Sequence, residues 1–406
     1  MRPFASTIPL DDARTLLAAA VRPIERIDDV PLAALGGRVL AEAIVAGGDV
    51  PPFARAMMDG YAVRAADTAG ATPDAPRTLA LVGRVFTGEV LDRAVGDGEC
   101  AEVATGAPLP AGATAVVMVE DTSPGEGATV RVHATVHEGQ HVGRAGADIA
   151  RGQAVLTRGE VLLPAKVGAI AAVGLASARV WAKPRVAIVS TGNEVVAPGQ
   201  ALGPGQIHDV NRHTLSAIVE AHGGEPVTFD VAGDTLEALD AAVSAAVACD
   251  LVVFSGGSSV GNRDLVMDIL RARGTVVFHG IATRPGKPTA FGTIDGVPVF
   301  GMPGNPTSCL TNAYVLLVPF LRTLAHLPPH MPRVVGVPLA RRVVSGLGRH
   351  QFYTVRLVNG QAEPAFKASG DITSMAHADG YIEIASDVAA IEAGTRVDVV
   401  LFQPHL

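Results

Sequence analysis

Residues 185–194 read Arg-Val-Ala-Ile-Val-Ser-Thr-Gly-Asn-Glu. The apolar run that opens this stretch is typical of a parallel strand buried on both faces. Small polar residues and an acid follow at once, from Ser190 to Glu194. Because ligands of parallel α/β sheets bind beyond the carboxyl ends of the strands, the stretch predicts an α/β domain with a site at this strand end.

The pattern of strand, polar loop and helix repeats from residue 183 to about residue 328. Short apolar runs predict strands, and apolar residues spaced three or four apart predict helices. The predicted strands cover residues 227–231, 251–254, 275–278 and 297–300. The predicted helices begin near residues 211, 236, 265 and 306. This alternation predicts a central, doubly wound sheet that is mostly parallel.

The regions that flank this α/β segment have different patterns of apolar and polar residues. Residues 10–27 place apolar side chains at helical spacing and predict an amphipathic helix. Between residues 49 and 152, short apolar runs alternate with Gly, Pro and Asp, which is typical of a small β-rich domain. Residues 153–182 return to a strand and a helix, and four β-like runs after residue 329 predict a second small β-domain. The predicted fold class is therefore multidomain α/β plus β.

Composition and charge exclude several classes of protein. Of the 406 residues, 48% are hydrophobic and 18% are charged, which is typical of folded domains rather than of disordered chains. A formal net charge of −8 without a basic stripe argues against a nucleic-acid partner. Cys100, Cys249 and Cys309 fit neither a zinc ribbon nor a disulfide framework, so we expect buried thiols in a reducing cytosol.

One uncharged stretch, residues 305–321, needs to be weighed as a membrane span. It contains two prolines and several polar residues, whereas a spanning helix needs about 20 mostly apolar residues. We interpret it as a buried helix of a globular domain. The first 14 residues lack the apolar core of a targeting segment, so we expect a cytoplasmic protein without membrane association.

Four polar loops follow predicted strands of the α/β region, and each has a functional and an ordinary interpretation. In the first, Thr191 and Gly192 let backbone N–H groups approach an anion, and Glu194 could hold a divalent cation. The second could cradle a phosphate and leads to Asp264 at a helix start. Its candidate binding residues are Ser255, Gly256, Gly257 and Ser259. The ordinary interpretations are tight turns, with Asp264 as a helix N-cap.

The third and fourth loops add positive charge and a helix start. Arg284 and Lys287 flank a Pro-Gly turn, so two cations could hold a phosphate or an oxyanion. The fourth loop precedes a predicted helix and places a proline at its first position. Its candidate binding residues are Pro303, Gly304, Asn305 and Pro306. A solvated basic loop and a plain helix start are the ordinary interpretations.

Three further polar residues stand out from their surroundings. Asp234 precedes a predicted helix with Glu237 three residues on, which is typical of a capping box. Asp59 lies in a Met-Asp-Gly turn of the β-rich region, and Thr105 begins a Thr-Gly-Ala-Pro turn. Turn positions are the ordinary interpretation for both. Together the residues predict an anion site with carboxylates, for which a phosphate and Mg²⁺ are the simplest ligands. We find neither a Ser-His-Asp nor a Cys-His arrangement.

Seven short motifs, in chain order, resemble those of one protein family. They are Met58-Asp59-Gly60-Tyr61-Ala62, Thr105-Gly106-Ala107, Ser190-Thr191-Gly192-Asn193-Glu194, Ser255-Gly256-Gly257 through Asp264, Pro285-Gly286-Lys287-Pro288, Pro303-Gly304-Asn305-Pro306, and Ala368-Ser369-Gly370-Asp371 with Ser374-Met375. Each motif alone is weak, but seven in order are specific. Over essentially its whole length the chain resembles the molybdopterin molybdenumtransferases, the bacterial MoeA family, whose eukaryotic relatives include the gephyrin E domain.

The resemblance implies four domains and a dimer. The implied domains are an α/β molybdopterin-binding domain (1–27 and 183–328), a linking domain (28–48 and 153–182), an inserted β-rich domain (49–152) and a C-terminal β-barrel (329–406). The implied assembly is a homodimer whose site lies between the α/β domain of one subunit and the inserted domain of the other. Asp59 and Thr105 would then reach across the dimer.

The resemblance also implies a reaction and roles for the residues. The implied reaction is the Mg²⁺-dependent insertion of molybdate into adenylylated molybdopterin with release of AMP. Glu194 and Asp264 would lie near Mg²⁺ and phosphate, and Asp234 would be a further carboxylate of the site. Arg284 and Lys287 would bind the pterin phosphate or molybdate. The prolines of the fourth loop would shape the pocket. Implied partners are the adenylyltransferase of the preceding step and acceptor molybdoenzymes.

The sequence departs from the family pattern at several positions, and it leaves rival functions open. Residues 53–56 read Phe-Ala-Arg-Ala where an Asp or Asn followed by a Ser is common, Arg284 replaces a common Lys, and Ser258 replaces a common Val. The rival functions are the preceding adenylyltransferase, which shares the α/β domain, and a non-catalytic cofactor carrier or scaffold. Tungstate could also replace molybdate, because the two oxyanions are nearly alike in size and charge.

Overall fold

The computed structural model describes residues 7–233, 235–256 and 265–402. The chain divides into two compact units. The larger combines the N-terminal segment through Asp28 with the chain from Trp181 onward, and the smaller is Asp29–Val180.

The larger unit is organised around a six-stranded mixed sheet. In sheet order its strands are Glu225–Thr228, Arg185–Ser190, Leu251–Ser255, Val297–Met302, Ala290–Ile294 and Gly274–His279. The first four are parallel and the last two are antiparallel to their neighbours. The predicted parallel part is present, but the sequence analysis missed strand Ala290–Ile294. Its signal was the Asp295-Gly296 pair, where both residues have positive φ, as a type I′ two-residue hairpin requires.

Alternation along strand Arg185–Ser190 explains why helices cover both faces of this sheet. Val186 and Ile188 belong to one buried apolar cluster, and Ala187 and Val189 belong to another. The first cluster includes helices Leu10–Ala20, Asn211–Ala221, Pro306–Asn312 and Val318–Leu324. The second includes helices Leu236–Ala246 and Leu265–Arg273. Since a fully buried aliphatic side chain contributes about 1.5–3 kcal/mol, a strand with two apolar faces is stable only between two layers.

Two helix predictions can now be compared with the structure. The N-terminal helix ends at Ala20, not at residue 27 as predicted, because Pro23 disfavours a helical conformation at Arg22. The uncharged stretch 305–321 is buried as predicted, and a single π-helical turn, Ala313–Leu317, joins its two α-helical parts. Within the described residues, every helix is too short or too polar to cross a membrane. The three cysteines are free and buried, as expected.

A second sheet follows in the C-terminal part of the larger unit. In sheet order its strands are Thr283–Arg284, His350–Val358, Gly380–Ile384, Arg396–Leu401 and Val334–Pro338, with Gln361–Pro364 beside His350–Val358. The four strands predicted after residue 329 are confirmed. A bridge between Leu339 and Ala362 brings the two ends of the sheet together. The sheet is therefore curled into a half-barrel whose two ends are joined by one bridge, which agrees in part with the β-barrel that the resemblance implied.

The smaller unit is β-rich, as predicted for residues 49–152. Its main sheet contains, in order, Ala115–Met118, Gly60–Val63, Glu99–Val103, Arg77–Val85, Thr129–Val132 and Thr122–Pro124. Its helix, Pro164–Ala172, begins at the proline that the sequence indicated.

The chain also contains short strands and one short helix outside the three large sheets. The short helix is Thr373–Ala376. The short strands are Ile27–Pro31, Ile44–Val45, Arg55–Ala56, Val142–Gly143, Ala154–Leu156, Ser177–Trp181, Val195–Val196, Ile207–His208, Val343–Val344 and Ala390–Ile391.

Candidate active site

The larger unit contains a cavity of about 1120 Å³ at the carboxyl ends of its parallel strands. Ser190 pairs with Ser255, and Ser255 pairs with Met302, so three strands end side by side. The residues that follow these strand ends line the cavity. The site therefore lies where an open parallel sheet is expected to bind its ligand.

Most of the predicted site residues meet at this cavity. Those that line it are Thr191, Glu194, Ser255, Gly256, Arg284, Lys287, Pro303, Gly304, Asn305 and Pro306. Gly192 lies against Glu194, since a Cβ atom at Gly192 would be 2.6 Å from a carboxylate oxygen of Glu194. The predicted residues Asp234, Gly257, Ser259 and Asp264 lie outside the described residues.

A buried asparagine stabilises the loop that carries Arg284 and Lys287 through hydrogen bonds. Asn312 Nδ2 donates to the carbonyl oxygen of Gly286 (2.9 Å) and to Thr289 Oγ1 (2.5 Å). The Thr289 hydroxyl donates to the same carbonyl oxygen at 2.9 Å. Gly286 has a φ of +101°, and a Cβ atom there would lie 2.2 Å from Asn312 Nδ2. Only glycine therefore fits at this turn.

In the part of the chain that the structure describes, four cationic side chains line the cavity, and we call Arg284, Lys287, Arg349 and Lys367 the basic cluster. Arg349 and Lys367 were not among the site residues predicted from the sequence. Strand Thr283–Arg284 pairs with the start of strand His350–Val358, which brings Arg349 beside the Arg284 loop. A concentration of positive charge in one concave site favours anionic ligands even in a protein of negative net charge.

Among the described residues, two carboxylates also line the cavity, and we call Glu194 and Asp209 the acidic pair. Both flank the small parallel ladder between Val195–Val196 and Ile207–His208. Asp209, which the sequence analysis missed, is 4% exposed. It accepts hydrogen bonds from the backbone N–H and Nε of Arg212, at 3.0 and 3.1 Å. Its negative charge is thus stabilised within the wall of the cavity.

The oxygen donors of the cavity fit a hard cation. Among the residues that the structure describes, no three acidic, His or Cys side chains cluster closely enough to form a complete metal cage. Mg²⁺ does not require one, because it commonly binds through one or two carboxylates and the phosphates of a substrate. Glu194 is suited to such a role.

Asp59 and Thr105 belong to the smaller unit, and the structure brings them into contact. The backbone N–H and the hydroxyl of Thr105 both donate to Asp59 Oδ1, at 2.7 and 3.0 Å. These bonds, the backbone one above all, lower the pKa of Asp59, so its carboxylate stays ionised. Both residues are exposed.

Comparison with known proteins gives the family. Residues 8–174 match the MoeA N-terminal region (domain I and II), residues 187–323 match the "Probable molybdopterin binding domain", and residues 336–402 match the MoeA C-terminal region (domain IV). Over 393 residues the chain is 37% identical to molybdopterin molybdenumtransferase 2 of Mycobacterium tuberculosis, covering 94% of this chain and 95% of that protein. The chain belongs to the molybdopterin molybdenumtransferase family.

Two further members of this transferase family match the chain over nearly its full length. The molybdopterin molybdenumtransferase of Haemophilus influenzae is 30% identical over 408 residues, covering 98% of this chain and 99% of that protein. The crystal structure of a molybdopterin biosynthesis MoeA protein from Pyrococcus horikoshii superposes with a TM-score of 0.85 at 40% identity, covering 98% and 100%. The resemblance seen in the motifs is confirmed, and the chain is an enzyme of molybdenum cofactor biosynthesis.

The departures of this transferase from the family pattern can be located in the structure. Residues 54–56 bind the turn that follows Thr105 through backbone groups: Ala56 N–H donates to Ala107 O, and Leu109 N–H donates to Ala54 O. Because these bonds do not use side chains, alanines at 54 and 56 leave them intact. Arg284 keeps the positive charge of the lysine that it replaces. Ser258 lies outside the described residues.

Proposed function

We propose that this transferase inserts molybdate into adenylylated molybdopterin, with Mg²⁺ as cofactor and AMP as the leaving product. The observation that carries the proposal is one large cavity in which a basic cluster and an acidic pair line the same space. Its volume of about 1120 Å³ suits a substrate larger than a single nucleotide.

The basic cluster supports the binding of anionic substrates. Molybdate, the pterin phosphate and the pyrophosphate link all carry negative charge. Arginine can bind such oxyanions with two parallel hydrogen bonds, and lysine can do so as a compact charge. We assign Arg284 and Lys287 to the pterin phosphate or molybdate, and we add Arg349 and Lys367 as further anion ligands.

The carboxylate of Glu194, which lines the cavity, supports a bound cation. We assign this cation to Glu194 and Asp264, with Asp234 as a further carboxylate. When bound, Mg²⁺ would neutralise the charge on the pyrophosphate and so favour departure of AMP. The chain itself binds and orients the two substrates, since holding reactants together supplies much of a rate enhancement. No protein nucleophile is needed, because a water molecule can attack a phosphorus atom of the pyrophosphate as AMP leaves.

The direct test is an insertion assay with purified protein, adenylylated molybdopterin, molybdate and Mg²⁺. We expect AMP release that depends on molybdate and disappears in Asp264→Ala. Tight binding of the pterin without AMP release, with either molybdate or tungstate, would favour a carrier or scaffold. Consumption of ATP with unadenylylated molybdopterin would instead favour the preceding adenylyltransferase.

We also propose that the enzyme is a homodimer in which Asp59 and Thr105 complete the site of the partner subunit. Their exposure supports this, because two hydrogen bonds hold the ionised carboxylate of Asp59 in place on the surface of the smaller unit. The adjacent side chains of Met57 and Met58 are exposed by 48% and 44%, and exposed apolar groups of this kind favour an interface.

A mixed dimer tests this arrangement. Asp59→Ala and Asp264→Ala should each be inactive alone, whereas co-expressed chains should recover about a quarter of wild-type AMP release. Random pairing makes about half of the dimers mixed, and each mixed dimer has one intact site of two. Two differently tagged copies of the same variant are the control and should recover nothing. A purified mixed dimer without activity would rule out sharing across subunits.

A further inference from the structure

Glu383 is a carboxylate of the larger unit that accepts hydrogen bonds from two distant parts of the chain. His350 Nε2 donates to Glu383 Oε2 at 3.2 Å, and Arg14 Nη2 donates to Glu383 Oε1 at 3.5 Å. The hydrogen bond from His350 is the largest cause that lowers the pKa of Glu383, so the carboxylate stays ionised. Glu383 therefore connects helix Leu10–Ala20 to the start of strand His350–Val358.

The start of this strand is linked to two cations of the basic cluster. Arg349 directly precedes His350 in the chain. The backbone N–H of His350 donates to the carbonyl oxygen of Ala282 at 2.8 Å, two residues before Arg284. Parallel pairing of Arg284 with Gln351 continues this ladder. The position of the His350 backbone therefore determines where both arginines enter the cavity.

The N-terminal segment contacts the same ladder through its backbone. Ile8 N–H donates to the carbonyl oxygen of Gly280 at 3.1 Å, and Ala282 N–H donates to the carbonyl oxygen of Ile8 at 2.8 Å. Six residues later, Arg14 reaches Glu383. One short segment thus binds the loop that leads into the basic cluster and, through a carboxylate, the strand beside that loop.

The charge of Glu383 by itself should weaken the binding of anions. A carboxylate near a basic cluster reduces the positive potential there, so its removal should tighten the binding of an oxyanion. A positioning role predicts the opposite sign, because displaced guanidinium groups lose the geometry that binds an oxyanion with two hydrogen bonds. The direction of the change in anion affinity therefore distinguishes the two roles.

We propose that Glu383 is a positioning residue for oxyanion binding, because it fixes the strand start that carries Arg349 and pairs with Arg284. The inference rests on the proposed function, in which the basic cluster binds molybdate or the pterin phosphate, and it deepens that function. Glu383 does not line the cavity and acts through His350. Arg14 orients the carboxylate from the N-terminal helix.

The test titrates molybdate against the full-length protein and measures AMP release in parallel. Glu383→Ala removes both hydrogen bonds. We expect the Kd for molybdate to rise about five- to tenfold, less than the roughly 10²-fold that a full 1 Å displacement can cost. The KM for molybdate should rise by a similar factor with kcat within about threefold of wild type, because the loss concerns binding. Glu383→Gln keeps an acceptor oxygen at the same reach and should restore most of the affinity.

Glu363→Ala is the matched control. Glu363 accepts a hydrogen bond at 2.7 Å from Arg356, which lies further along the same strand. Its side chain is 34% exposed, against 33% for Glu383, so the two variants lose comparable ion pairs. Glu363→Ala should leave molybdate affinity unchanged or slightly higher. Unchanged or tighter molybdate binding in Glu383→Ala, or an equal loss in the control, would overturn the positioning role.

Hydrogen exchange tests the same role without a substrate. In Glu383→Ala, backbone amides of residues 280–286 and 349–352 should exchange at least about threefold faster, with the rest of the chain unchanged. Unchanged exchange in these segments would contradict the proposal even if wild-type protein neither bound molybdate nor released AMP, which would count against the proposed function instead. His350→Leu removes the donor and keeps the carboxylate, and it should weaken molybdate binding even if Glu383→Ala fails to fold.

Discussion

Replacing Glu194 by Gln is expected to lower molybdate-dependent AMP release by about 10²–10³-fold, the usual cost of losing one electrostatic group at a reacting centre. Glutamine keeps the size of the side chain, so the fold and the substrate pocket should be preserved. It removes the negative charge to which we assign the cation. We therefore expect kcat to fall strongly, the affinity for adenylylated molybdopterin to change little, and the Mg²⁺ requirement to rise.

A matched variant separates this effect from a general change in charge. Glu220 lies on the exposed side of helix Asn211–Ala221 and does not line the cavity. Glu220→Gln should therefore leave kcat and the Mg²⁺ requirement within twofold of wild type. If Glu194→Gln behaved in the same way, Glu194 would have no part in the chemistry.

Gly286→Ala is expected to cost about 2–5 kcal/mol of stability and most of the activity. A Cβ atom would lie within 2.6 Å of three atoms of Asn312, which is itself buried and hydrogen-bonded to this turn. Overpacking of this kind costs about 1–3 kcal/mol, and a side chain at positive φ adds about 1–2 kcal/mol. The turn would also shift Arg284 and Lys287, and a displacement of about 1 Å can cost 10²-fold in rate.

The hairpin glycine provides the control. Gly296 also has a positive φ, +82°, but nothing lies within 4 Å of a Cβ atom there. Gly296→Ala should therefore show the backbone strain alone, about 1–2 kcal/mol, with near-normal activity. Thermal melting and AMP release of the two variants would be compared. Equal destabilisation by both would mean that the contact with Asn312 does not constrain the loop.

Much of the fold could be predicted because its signals are local. The apolar run 186–189 is buried on both faces, and its alternate residues divide between the two helical layers. Pro164 begins a helix as expected. The errors were also local in origin. The effect of Pro23 was overlooked, and strand Ala290–Ile294 was hidden by its central glycine and by the basic loop before it.

The candidate site was predicted less completely. Loops that directly follow strands were found, because the carboxyl ends of neighbouring parallel strands must meet. Asp209, Arg349 and Lys367 were missed, because no motif marks them as cavity residues. Ser190 and Asn211 also line the cavity, but the sequence alone does not distinguish them from ordinary polar residues.

The sequence by itself determined the alternation of strands and helices, the polar loops at the strand ends, and the family, because periodicity and the order of motifs are properties of the chain. The tertiary structure alone decided which distant groups meet. The pairing of Thr283–Arg284 with His350–Val358 places Arg349 beside the Arg284 loop. The hydrogen bonds from Thr105 to Asp59 join residues 46 positions apart. Such contacts depend on the pairing of remote strands and turns, which local sequence patterns do not specify.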